Sequence, residues 1–360
     1  MDLKNEKWFT DLEGYIRQGE PSRAKKSAAW QTAIGLQDVD GLKTSDYLLE
    51  TAKEHIEGKI DIAAVQQQIQ SYYEAQTERH EKEHNTKEAD VVSARIAALL
   101  GEDTFQFSPA AWQAVHQRLF SGLLDHAGEF RTFNISKKEW VLGGESVTYA
   151  AWESIRATVD YDFQAEKQFS YAGVPLPEAV RHIAAFTSGI WQIHPFSEGN
   201  TRATAVFVIK YLKTFGFPVS NEIFAENAWY FRNALVRANY NNYSKGIRAT
   251  TVYLEHFFEN LLSVADNDLR NRELHVDYAP EMPQSAESER PKCNFCTLEE
   301  FAVLRLLSGN PKLTQKELAL AIGKSERTVK TVTVRLQEKG MLRRKNGRRN
   351  GEWEVLCALS

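Results

Sequence analysis

Apolar residues recur at helical spacing along most of the chain, and strand-like alternation is confined to a few short stretches. Near the start the pattern predicts helices over Ser27–Val39, Tyr47–Glu57 and Ile62–Tyr73, with Gly41 and Gly58 as C-terminal stops. Further on, Val180–Ile193 sets Ile183, Ala184, Phe186, Ile190 and Trp191 at apolar positions. His194-Pro195 should end that helix, because the residue before a proline is pushed out of the helical region. Arg202–Phe217 is charged only at Arg202, Lys210 and Lys213 and reads as a buried central helix. Phe130–Ile135 and Trp140–Tyr149 carry the strand signal, with Gly143-Gly144 as the turn of a β-hairpin that offers an unpaired edge. Past residue 297 come three short helices, Leu298–Leu307, one opening at Leu313, and Ser325–Lys339. Thr314 and Glu317 there form a capping-box pattern. Two strands follow around a basic tip, Arg343–Arg349, and end at Trp353-Glu354-Val355. The fold class is mainly α.

A chain of 360 residues is too long for one compact core and fits two or three domains. With 42% apolar and 26% charged residues, wholesale disorder is excluded. No run of eighteen apolar residues occurs, and Met1–Arg17 lacks the apolar stretch of a signal peptide. Three cysteines cannot build a disulfide framework, so a cytoplasmic protein with no membrane association is expected. Cys293-x-x-Cys296 is a single pair without a second, which argues against structural zinc. The net charge of −4 hides a segregation. Lys292–Ser360 carries 14 Lys/Arg against 7 Asp/Glu, or +7, which leaves −11 on the remaining 291 residues. A basic module on an acidic body is implied. Ala279–Pro291, rich in Pro, Ser and Glu, reads as the linker between them.

Between the two apolar helices lies the loop His194-Pro195-Phe196-Ser197-Glu198-Gly199-Asn200-Thr201-Arg202. A loop that opens a buried helix presents free N–H groups to an anion, and glycine at 199 lets backbone approach it closely. Taken singly, each residue also has a plain structural role, such as a helix-terminal histidine or a surface Glu198–Arg202 pair. The run as a whole resembles the Fic-domain signature H-P-F-x-[DE]-G-N-G-R-x-x-R. His194, Pro195, Phe196, Glu198, Gly199, Asn200 and Arg202 match it, while Thr201 and Ala205 replace a glycine and the final arginine. Val115–Phe120, Ala127–Arg131 and Phe231–Leu235 extend the likeness over roughly residues 90 to 260.

That resemblance implies an all-helical Fic core with a β-hairpin flap, and transfer of AMP from ATP onto a hydroxyl of a target protein. His194 would be the general base and Glu198 would hold Mg²⁺. Gly199, Asn200 and Thr201 would line the nucleotide phosphates, and Arg202 would clamp the β-phosphate. Glu145, Ser146, Val147, Thr148 and Tyr149 of the flap would dock the target as an added strand. The target is not specified, and homo-oligomerisation is left open. A nucleotide-binding regulator without transferase activity is the alternative, because Thr201 and Ala205 depart from the pattern. Removal of AMP, or another nucleotide-like donor, would use the same residues.

The N-terminal helices are similar to a small antitoxin of the VbhA type fused in cis, or to a plain helical bundle. An inhibitory pattern [ST]-x-x-x-E-[GN] is approached only by Leu36–Gly41, with Asp40 for the glutamate. In the family that glutamate pairs with the second motif arginine, here Ala205. The expectation is therefore that Asp40 has little to hold, and that ADP binds nearly as well as ATP. The C-terminal module resembles a winged helix-turn-helix, in which Arg327 and Lys330 on the third helix and Arg343, Arg344 and Arg348 on the wing would contact DNA. Protein docking is the alternative there. The expected division is 1–85 N-terminal helical module, 86–278 Fic domain, 279–292 linker and 293–360 winged helix.

Overall fold

The computed structural model describes residues 21–75, 81–216, 221–262, 264–278, 296–345 and 352–357. The linker, Cys293 and the wing tip with Arg348 lie outside them.

The chain opens with α1 (Pro21–Gly35), which tightens into a 3₁₀ turn, Leu36–Asp40, closed by Gly41 in the left-handed conformation. Next come α2 (Asp46–Ile56) and α3 (Ile62–Glu74), capped by the side chains of Ser45 and Asp61. The long α4 (Glu81–Gly101) and α5 (Pro109–Phe120) lead into the flap region. Beyond it lie α6 (Ile155–Gln168), α7 (Leu176–Ile193), α8 (Asn200–Lys213) and α9 (Asn221–Ala238). The body ends with α10 (Val252–Leu261) and the short α11 (Asn271–Leu274).

Helix α8 is the axis of this body. Every residue from Asn200 to Leu212 is buried, as its nearly uncharged sequence requires. Helices α4, α5 and α7 pack around it, and α1 lies between α4 and α9. A Cβ on Gly35 would stand 2.3 Å from Ala225 Cα, so glycine there lets α1 and α9 meet backbone to backbone. That contact fixes where the following 3₁₀ turn emerges, beside α8 and α9.

The flap departs from expectation. Residues 130–149 hold no regular strand, and Trp140–Leu142 is a 3₁₀ turn. The reversal at Gly143 and Gly144 is present, both at positive φ. Glu139 N–H donates to Glu145 C=O at 2.9 Å across it. Val141 and Leu142 are both buried, and two consecutive inward side chains cannot satisfy strand alternation.

The C-terminal module comprises α12 (Leu298–Gly309), α13 (Gln315–Ala321), α14 (Glu326–Glu338) and the antiparallel pair β1 (Leu342–Lys345) and β2 (Glu352–Val355). The expected capping box at Thr314 and Glu317 is formed, and Thr297 with Glu300 forms another at α12. The module docks on the body: Leu176 N–H donates to Cys296 C=O at 2.9 Å, and Arg305 donates to Leu262 C=O at 2.9 Å. Gly216, just past α8, lies against Ile322 so closely that a Cβ would come within 2.5 Å. No helix among the described residues is long and apolar enough to cross a membrane.

Candidate active site

Helix α7 ends at His194, whose φ of 49° makes it the one non-glycine residue at positive φ among those described. Proline at 195 drives residue 194 out of the right-handed helix, and here it settles in the left-handed region instead of the extended one. Three contacts hold it there. Arg131 Nε donates to His194 C=O at 2.8 Å, Arg131 N–H donates to Pro195 C=O at 2.8 Å, and His194 N–H donates to Trp191 C=O at 3.0 Å. Arg131 also donates to the carbonyls of Phe133 and Ala150, stapling the flap's two ends to the loop.

The imidazole is 2% exposed. Its Nδ1 lies 3.2 Å from Trp191 C=O. A carbonyl can only accept, so Nδ1 carries the hydrogen and Nε2 keeps a free lone pair. Burial holds the His194 pKa well below its ordinary value, reinforced by the positive charge of Lys137. The ring is flanked by Tyr149 at 4.3 Å and, edge-on, by Trp191 at 5.1 Å.

Phe196 anchors the loop. It is fully buried and stacks on His116 at 3.7 Å. His116 Nε2–H donates to Glu198 C=O at 2.9 Å, while Nδ1 accepts from Gly128 N–H at 2.9 Å. Both ring nitrogens are thus used in the neutral form, and burial pushes this histidine down to about 4. Gly199 takes φ 70°, and a Cβ would strike the Phe120 ring at 2.3 Å. Only glycine fits there. Without a side chain at the N-cap, α8 begins with no side-chain cap bond, so its first N–H groups remain available to a ligand.

Asn200 and Thr201 also bond within the protein. The Asn200 amide is closed on Phe196, accepting from its N–H at 2.9 Å and donating to its C=O at 2.8 Å. It shapes the loop, with one bond accepted by Oδ1 and one donated by Nδ2. Thr201 Oγ1 accepts from Trp191 Nε1 at 3.0 Å, so this hydroxyl joins α7 to α8. Glu198 exposes its side chain at the loop surface. Among the described residues no group of three or more His, Cys, Asp or Glu could hold a metal by itself.

The largest correction concerns Arg202. It is 2% exposed and held by groups from two other elements. Nη1 donates to Gln37 Oε1 at 3.1 Å, Nη2 to Glu88 Oε1 at 2.6 Å, and the guanidinium lies 4.8 Å from the Phe120 ring. Nε pairs with Asp40 Oδ2 at 2.7 Å, close enough for an ion pair but without hydrogen-bond alignment. Asp40, expected to find no arginine because position 205 is alanine, reaches the first arginine of the motif. The 3₁₀ turn brings Gln37 and Asp40 to α8 together, and Glu88 arrives from α4. Arg202 is therefore not free to clamp a phosphate in this arrangement.

The flap residues divide by face. Val147 and Tyr149 are buried while Thr148 is exposed. Glu145 is tied to Tyr240, Asn242 and Lys245, and Ser146 Oγ accepts from Lys137 N–H at 3.2 Å. Arg327 and Lys330 sit exposed on α14. Arg343 is paired with Glu354, and Arg344 lies over Trp353 at 4.7 Å. Sequence reasoning missed His116, Arg131, Gln37 and Glu88. The first two lie inside the stretches already compared with the family, while no local signal marks the others.

Two family models match the chain: the Fic/DOC family over residues 106–212 and a winged helix-turn-helix DNA-binding family over 300–343. Among solved structures, a Fic domain containing signalling protein from Bacteroides thetaiotaomicron is similar at 16% identity. The match covers 71% of this chain and 92% of that one, with a TM-score of 0.46. No curated protein matches.

Proposed function

We propose that this chain, which carries a Fic domain joined to a winged helix-turn-helix, transfers AMP from ATP to a hydroxyl side chain of a target protein or of itself. The observation that carries the reading is a neutral histidine with a free Nε2, beside a helix N-terminus that no side chain caps. His194 takes the proton of the attacking hydroxyl, whose oxygen bonds to the α-phosphorus as the bond to the β-phosphate oxygen breaks and pyrophosphate leaves. The first N–H groups of α8 face the phosphates and stabilise the charge that moves toward the leaving group.

Glu198 suits Mg²⁺, because one exposed carboxylate suffices for an ion that takes its other ligands from phosphates and water. When bound, magnesium would neutralise charge on the phosphates. Arg202 would join the β-phosphate once Gln37, Asp40 and Glu88 release it. The flap around Thr148, with Phe133, Trp140 and Trp152 exposed nearby in the chain, offers the target a surface. The winged helix would address the enzyme to DNA through Arg327 and Lys330.

The test is incubation of the full chain with labelled ATP and Mg²⁺. His194→Ala should lower labelling by about a hundredfold or more, with nucleotide binding nearly intact, since the base acts only in the chemical step. A mutant that labels as well as wild type would falsify the assignment. A nucleotide-binding regulator is the second reading, favoured by one observation: Arg202 is held by Gln37, Asp40 and Glu88 of the protein itself. It predicts no label even after Asp40 is removed.

A further inference from the structure

Arg232, on α9, stands between the two halves of the site. Its Nη1 donates to Val39 C=O at 2.8 Å, inside the 3₁₀ turn that brings Gln37 and Asp40 to Arg202. Its Nη2 donates to both carboxylate oxygens of Glu139, at 3.2 and 3.0 Å. Glu139 is 2% exposed, and Arg232 is the one cation that pairs with it among the described residues. It begins the flap reversal, where its N–H bonds Glu145 and its C=O accepts from Gly144 N–H at 3.0 Å. The same carboxylate accepts from the Tyr149 hydroxyl at 3.4 Å, and Tyr149 is the wall against His194. The indole of Trp229, one turn earlier on α9, lies 5.2 Å from the guanidinium and braces it.

We propose that Arg232 is a positioning residue that ties the turn holding Arg202 to the flap wall of His194. The phosphate-binding and proton-accepting halves of the site then change together. A planar fork reaches a carbonyl on one side and a carboxylate on the other in a single geometry, which a lysine ammonium cannot reproduce. If the turn withdraws to free Arg202, Val39 leaves the fork, and Glu139, Tyr149 and the flap lose a fixed brace. The tie runs equally in reverse: a target that fixes the flap changes how firmly the turn is held. Its consequence for transfer rests on the reading above; the tie itself does not.

Hydrogen–deuterium exchange of the flap amides from Lys137 to Glu145 reads the tie without any activity. Asp40→Ala should speed that exchange by about fivefold, the lower end of ordinary coupling between sites. In an Arg232→Lys background, the ammonium can serve Glu139 but not Val39 as well. The flap should stay protected there, and Asp40→Ala should change it less than about twofold. Glu139→Gln covers the case in which Arg232→Lys folds poorly, since it weakens the flap side and leaves the Val39 bond. The response to Asp40→Ala should vanish there too. Equal acceleration in all backgrounds, or none in the wild type, overturns the proposal. Coupling found together with no labelling from ATP in any variant would uphold the tie and remove the transferase reading.

Discussion

Single residues set the resting state of this site. The Arg202 guanidinium meets two carboxylates and an amide while nearly dry, so its hydrogen bonds and ion pairs go to protein groups, with Nε–H left unbonded. Asp40→Ala should therefore raise nucleotide affinity by about tenfold, equivalent to roughly 1.4 kcal/mol, measured by titrating a fluorescent ATP analogue. An unchanged affinity would mean that Arg202 does not touch the nucleotide. The loop itself was legible in the sequence, because His194, Glu198, Gly199 and Arg202 stand in one short run. The grip on Arg202 was not. Gln37 lies 165 positions away and Glu88 114 positions away, and only the packing of α1 and α4 on α8 brings them together. Replacement of the second arginine by Ala205 suggested an idle Asp40; the chain uses the first arginine instead.

At the scale of elements, helices were read more surely than the flap. Amphipathic spacing and caps mark helices locally, and the Thr314–Glu317 box appears where its residues predicted it. The segment from residue 130 to 149 has aromatic and β-branched residues but takes its backbone partners from the side chains of Arg131 and Ser146 and from the Glu139 turn within it, and these are contacts that no alternation rule encodes. The wing is similar: its strands were legible, yet Arg343 is spent on Glu354 and Arg344 on Trp353. If the module binds DNA as proposed, phosphate contact would fall first to α14, where Arg327 and Lys330 are exposed. Replacing both by alanine should weaken DNA binding across sequences and reduce the slope of log K against log salt by about two, as two released counterions require. A slope that stays constant would remove α14 from the interface.

Across the whole molecule, buried and half-buried histidines shape the response to acid. His55 and His116 are each pushed down to about 4, and His194 lies well below its ordinary value, all chiefly by burial. At pH 5 they are neutral when folded and protonated when unfolded. Asp90 acts in the opposite sense. Burial raises it to about 6, so near pH 5 it keeps its proton in the fold and loses it on unfolding. Unfolding at pH 5 should take up about two protons net, and stability should fall as pH drops through 6.5 toward 4. Urea midpoints at pH 7 and pH 5 check the direction; a higher midpoint at pH 5 would contradict it.

On the proposed function, the docking of the winged helix would turn an address into a rate. Leu176, Arg305 and Gly216 seat the module against the body, and Gly216 lies just beyond the end of the helix that opens at the His194–Arg202 loop. A protein standing on DNA beside the bound module would meet the flap at an effective concentration of about a millimolar, the value of a short tether. The same protein free in solution would meet it only at its bulk level. Selection of a target would then need little from the flap itself, because neighbourhood on the duplex would supply what side-chain recognition does not.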